Sequence, residues 1–106
     1  MGCVMKIIIE TDKVDEFIDS LPPLLRDIRK QKGCLEYRMY RDPEKETSFC
    51  ILGEWNSNQN MENHFHTHNF EVLLGATKVL GQSFKLIITE ELETGGYDLA
   101  DSKSRS

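Results

Sequence analysis

The 106-residue sequence is short of several things at once: it has three cysteines, three prolines and one tryptophan, and its 13 Lys and Arg are outnumbered by 18 Asp and Glu. Each shortage excludes something. Cys3, Cys34 and Cys50 form no CxxC pair, so neither a disulfide framework nor a zinc knuckle is implied, and they read as small buried hydrophobes in a reducing compartment. A net charge of −5 with dispersed cations cannot supply the clustered Lys and Arg that phosphates require, which removes nucleic acid as a partner. No apolar run approaches the roughly 18 to 20 residues of a membrane span; the longest, such as Ile7 to Ile9, are strand-sized. A strand at the N-terminus leaves no room for the regions of a signal peptide, so a soluble, cytoplasmic protein is expected. Gly-rich phosphate loops, nucleophile elbows and dinucleotide fingerprints are absent.

What is present alternates between two periods. Ile-rich Val4 to Glu10 reads as a strand, and Thr11-Asp12 as the entry to a helix with Asp15 and Glu16 in its first turn. Phe17, Ile18, Leu21, Leu24, Leu25 and Ile28 then recur at helical spacing. Pro22-Pro23 predicts a kink or restart near Ser20, and Gly33 a C-terminal stop. Cys34 to Arg41 and Ser48 to Trp55 form an antiparallel hairpin across the polar turn 42–46. Period two places Leu35, Tyr37 and Met39 with Phe49, Ile51 and Trp55 on a dry face, and Cys34, Glu36, Arg38 and Tyr40 with Cys50, Leu52 and Glu54 on the other. Ser57 or Asn58 caps a second helical region through Met61, Phe65, Phe70 and Leu74 to about Leu80, broken near Thr67 and closed at Gly75 or Gly81. Ser83 to Glu91 is the last strand. Residues 1–93 are expected to form one domain, and residues 94–106, which lose all periodicity, a flexible or partner-draped tail.

The order β-α-β-β-α-β is the split βαβ arrangement of an α+β, ferredoxin-like domain with both helices on one face of a four-stranded antiparallel sheet. Ile7 to Ile9, Cys50 to Leu52 and Leu86 to Ile88 are apolar on both sides, where a sheet with one wet face should alternate. A homodimer joined through the outer sheet face is therefore expected, with Glu36, Arg38, Tyr40 and Glu54 setting its register.

The run from Lys32 to Asp42 (KGCLEYRMYRD), then Glu54-Trp55-Asn56-Ser57 and His64-Phe65-His66-Thr67-His68-Asn69-Phe70, resembles the antibiotic biosynthesis monooxygenase family over almost the whole domain. The resemblance implies a dimeric α/β barrel of ferredoxin-like protomers, and among its members cofactor-free oxygenases of quinols and polyketides. The related haem-degrading members use an Asn on the first strand and a Trp and a His on the second helical region. Here the first strand has no Asn, and the other two positions fall on His64 and Leu74, so haem degradation is not expected.

Cofactor-free oxygenation needs an electron-rich phenol or enol, a base, an oxyanion donor and a dry pocket. His64 is the candidate base, with its ordinary pKa near 6.5. Trp55 offers an indole N–H and a flat wall, and Tyr37 a hydroxyl on the same face. Phe65, His68 and Phe70 complete the candidate substrate pocket between sheet and helices, with Met39 as further lining. Each also has a plainer role as a core anchor. His64, His66 and His68 invite a metal, but on one helix only His64 and His68 would share a face, and no third ligand lies on that stripe; neither metal nor cofactor is expected. A cofactor-independent monooxygenase acting on a small aromatic, quinol or polyketide-like substrate is the leading reading. A non-catalytic small-molecule-binding or stress-response dimer, and an isomerase-like enzyme, are its alternatives; the last lacks a cationic cluster, because Arg38 faces away from the pocket.

Overall fold

The computed structural model of the chain describes residues 2–92; the boundary expected at residue 93 and the tail expected at 94–106 lie outside them. Four strands, β1 (Gly2–Glu10), β2 (Cys34–Arg41), β3 (Ser48–Trp55) and β4 (Ser83–Leu92), form one antiparallel sheet in the order β2-β3-β1-β4. Helix α1 (Val14–Ile28) connects β1 to β2, and α2 (Asn58–Phe65) with α3 (His68–Leu80) connects β3 to β4. This is the ferredoxin-like α+β architecture, with the second helix divided in two.

Alternation along the central strands builds the core. Met5, Ile7 and Ile9 of β1 and Phe49, Ile51 and Trp55 of β3 point to one face and are buried. The stripe Phe17, Leu21, Leu25 and Ile28 of α1 joins them in the same cluster, with the Phe17 and Phe49 rings 4.9 Å apart. Burial of each such side chain is worth about 1.5–3 kcal/mol. On the opposite face Ile8 and Tyr40 are exposed and Cys50, Leu52 and Ile87 are partly covered. Paired register places Phe84, Leu86 and Ile88 of edge strand β4 opposite Ile9, Ile7 and Met5, so they share the helix face, yet Leu86 is 39% and Ile88 47% exposed.

Several local expectations give way. Helix α1 runs unbroken through Pro22 and Pro23. The carbonyls they leave without donors, four residues back, belong to Ile18 and Asp19, neither of them buried, so water can take their place. The helix ends at Ile28, ahead of Gly33, and residues 29–33 are turns in which Gln31 N–H donates to Ile28 O and Cys34 N–H to Gln31 O. Gly33 serves a different purpose. Its φ of +82° is a left-handed conformation, and a Cβ there would fall 2.4 Å from Asn60 Nδ2 and 2.5 Å from Asn56 Oδ1. Leu35 is 59% exposed because the β2–β3 register slips between Cys34 and Glu36, which turns Leu35 out of the dry face and Cys34 toward the core. Thr11 does not cap α1: Lys13 stands at that position without a side-chain bond. Thr11 is buried and clamps α3, its hydroxyl donating to Leu80 O at 2.6 Å. Of the two glycines expected to close the second helical region, Gly81 caps α3 and Gly75 lies inside it. Within β2, Arg38 pairs with Glu36 of the same chain.

Candidate functional site

The site is assembled where β2, β3 and α2 meet. Tyr37 can lie flat across β3 because its register partner is Gly53, where a Cβ would come within 2.7 Å of the Tyr37 ring. Trp55 ends β3 on the same face. Ser57 opens α2 by accepting from Asn60 N–H at 3.1 Å, and one face of that helix turns Met61 and His64 inward. Thr67 then breaks the helix from both sides: its N–H and hydroxyl both donate to His64 O, at 3.0 and 2.7 Å, and its Oγ1 accepts from Phe70 N–H at 3.2 Å to start α3. His64 is thus held by its backbone as well as by its ring.

The His64 side chain, in a residue only 1% exposed, is enclosed by aromatic rings. Trp55 stacks on it with ring centroids 4.6 Å apart and planes inclined by 25°, while Tyr37 and Phe70 meet it edge-on at 5.1 and 4.9 Å. Phe65 is half-buried, 5.8 Å from His64 and 4.9 Å from Phe70. Both ring nitrogens are occupied: Nδ1 lies 2.7 Å from Gln31 Oε1 and Nε2 lies 3.0 Å from the Tyr37 hydroxyl. An amide oxygen only accepts, so the proton sits on Nδ1, and Tyr37 donates its O–H to Nε2. Burial lowers the His64 pKa to about 4, so the ring is neutral at pH 7. Burial also pushes the Tyr37 phenol well above its ordinary value, with a smaller push from Cys34. The indole Nε1 of Trp55 is buried without a hydrogen-bond partner among the described residues, in a residue of zero exposure.

Five of the six candidate residues, Tyr37, Trp55, His64, Phe65 and Phe70, come together. His68 does not. It is exposed on the first turn of α3, and the break at Thr67 ends the helix that would have set it four residues along one face from His64. His66 is exposed too, 3.4 Å from Glu62. Among the described residues no three His, Cys, Asp or Glu side chains gather where they could hold a metal ion. The five rings pack against one another, and the opening lies to one side: a cleft of about 220 Å³ lined by Gln31, Lys32, Asn60, Asn63, His64 and Thr67. Gln31 is the member of the site that sequence reasoning missed. It follows a helix in a basic stretch, and its one distinguishing mark is an uncharged amide between Lys30 and Lys32.

A four-stranded antiparallel sheet in the order β2-β3-β1-β4, with its helices packed on one face, defines the ferredoxin-like class of small α+β domains. The chain belongs to one family of that class: residues 1–73 match the model of the antibiotic biosynthesis monooxygenase family. A candidate antibiotic biosynthesis monooxygenase of Deinococcus radiodurans superposes with a TM-score of 0.80 at 19% identity, over 92% of this chain and 98% of that one. A conserved protein of Methanosarcina mazei gives 0.79 at 18% identity, over 87% and 94%. The protein Rv0793 of Mycobacterium tuberculosis gives 0.78 at 11%, over 91% and 100%. At such identities these likenesses establish the fold. No curated protein matches the chain. No helix among the described residues is long and apolar enough to cross a membrane.

Proposed function

We propose that the protein is a cofactor-independent monooxygenase of small electron-rich phenols, of the hydroquinone type, with His64 as the base. The observation that carries this reading is the seat of His64: a neutral imidazole, bonded through Nε2 to Tyr37 in the core and through Nδ1 to Gln31, with Gln31 and His64 both lining one cleft. Gln31 sits in a turn and Tyr37 in a strand, so Gln31 is the partner a substrate displaces. A substrate hydroxyl at Nδ1 donates to it once the ring carries its proton on Nε2, from which it donates to the Tyr37 oxygen.

Transfer of the phenolic proton to Nδ1 leaves an electron-rich phenolate. From a phenol of pKa about 10 to an imidazole of about 4, that transfer is uphill by about 8 kcal/mol in isolation. Attraction between the phenolate and imidazolium returns about 4 kcal/mol at 4 Å and an effective dielectric near 20. The phenolate passes one electron to O₂, the radical pair joins at a ring carbon, and the hydroperoxide loses water. Hydroquinone plus O₂ thereby gives hydroxyquinone plus water. Trp55 and Phe70 hold the imidazole in plane, and Phe65 with Phe70 keeps water away from it. The outer sheet face, with Ile8 and Tyr40 exposed, supports a homodimer as the working unit.

Oxygen consumption with a panel of hydroquinones tests the reading. Turnover by the wild type and its loss in His64→Ala are expected; equal rates in both would remove His64 from the chemistry. The same enclosure supports a second reading, a binder without turnover, because both ring nitrogens of His64 are already satisfied. That reading predicts saturable quenching of Trp55 fluorescence by hydroquinones with no oxygen consumed.

A further inference from the structure

Around the cleft the hydrogen-bonding capacity is unevenly used. Asn63 Oδ1 accepts from Gln59 Nε2 at 2.9 Å and Gln31 Oε1 faces His64 Nδ1, so the acceptors of both amides are engaged while their NH₂ groups have no acceptor among the described residues. Lys32 adds an ammonium that forms no ion pair among them. Asn60 Nδ2 is spent on Asn56 Oδ1, at 2.8 Å. No carboxylate lines the cleft, although the whole chain carries a net charge of −5. The helix ends bring no decisive field: α2 finishes and α3 begins on either side of Thr67, so their terminal partial charges oppose each other. Unspent side-chain donors, three of them on one rim, therefore set the character of the opening.

We infer that this cleft takes a single-ring aromatic carboxylate, its carboxylate held by Lys32, Asn63 and the displaced Gln31 amide while a ring hydroxyl occupies the place of Gln31 Oε1 at His64. The inference rests on the proposed monooxygenase reading for the role of that hydroxyl, but not for the carboxylate seat. Size agrees: about 220 Å³ lies below the ~300 Å³ at which drug-sized sites begin, so the cleft suits one ring and not a polycycle. Charge-assisted hydrogen bonds to a carboxylate are the strongest class these donors can make. Lys32 and Asn63 are thus specificity-determining residues that leave the imidazole untouched.

Calorimetric titration of the full chain under argon separates binding from turnover. Gentisate, a hydroquinone ring carrying one carboxylate, is compared with hydroquinone itself. Gentisate is expected to bind at least about tenfold more tightly, the gain from one charge-assisted bond. Lys32→Ala, at an exposed position, should erase most of that preference, bringing the ratio of gentisate to hydroquinone affinity close to one. Equal affinity for the two ligands, or a preference that survives in Lys32→Ala, overturns the carboxylate seat. Oxygen consumption with hydroquinone would then still support the monooxygenase reading, whereas a gentisate preference with no oxygen consumed would sustain the seat and sink that reading.

Discussion

Acid should weaken this fold through His64, in a pH window that separates it from the carboxylates. In the unfolded chain the imidazole titrates near 6.5, and in the folded chain burial lowers that to about 4. Between these values the unfolded state binds more protons than the native state, so stability rises with pH and falls as acid is added. The stabilising contribution is fully present above pH 6.5 and is lost as pH falls through 4. The total is about 3 kcal/mol, at about 1.36 kcal/mol per pH unit, and about 2 kcal/mol of it disappears between pH 7 and pH 5. That is a large share of the 5–15 kcal/mol typical of a domain. The relevant geometry is a neutral ring stacked on Trp55 with both nitrogens bonded, where a proton added at Nε2 meets a Tyr37 hydroxyl already donating to it. Urea unfolding at pH 7, 6 and 5 measures the slope in the wild type and in His64→Gln, which keeps a polar side chain that does not titrate. The wild type should lose about 2 kcal/mol more than the variant over this range. Glu10, whose carboxyl is held below its ordinary value by Lys45, Ser48 and Thr47 against the opposing effect of desolvation, acts only near and below pH 4.5 and does not blur the comparison. Parallel slopes in the two proteins would refute the assignment of a buried neutral imidazole.

Three further outcomes follow from particular contacts. Gly33→Ala should destabilise by about 2 kcal/mol or more in denaturant titration, from the left-handed backbone penalty of about 1–2 kcal/mol together with the collision of a Cβ with Asn56 and Asn60. Trp55→Phe should change stability by less than about 1–2 kcal/mol, little for a fully buried tryptophan, because the cavity it leaves is offset by removal of a buried N–H without an acceptor, itself a cost of about 1–3 kcal/mol; unfolding at room temperature would show instead that the indole is bonded. Sedimentation at micromolar concentration should give a dimer, and Ile8→Lys on the outer sheet face should shift it toward monomer; a wild-type monomer would contradict the proposed assembly.

Most of the architecture was legible because it depends on periodicity. Met5, Ile7 and Ile9 alternate, Phe17, Leu21, Leu25 and Ile28 recur every three to four residues, and burial enforces both patterns. The failures were local and share a cause: a backbone irregularity whose reason lies elsewhere in the chain. Pro22 and Pro23 fit inside α1 because the carbonyls they orphan are not buried, and burial at one residue does not follow from the residue type. Leu35 leaves the dry face because β2 slips against β3, and strict alternation cannot anticipate a slip. At the site, the aromatic cluster around His64 follows from the period-two face of β2 and β3 and the inward face of α2. His68 separates from it because Thr67 bonds His64 O twice and ends the helix, so a spacing of four no longer implies a shared face. Gln31 was invisible because its bond to His64 joins residues 33 apart in the chain, and nothing in a lone amide announces such a partner.

The placement of the proton on His64 tests the central claim most directly. Nitrogen NMR of histidine-labelled protein at pH 7 should show a neutral His64 ring protonated at Nδ1, as its contact with Gln31 requires. Hydroquinone added under argon should move the proton to Nε2 as the substrate hydroxyl takes the place of Gln31. A His64 ring whose protonation and tautomer stay the same at saturating hydroquinone would contradict its role as the base.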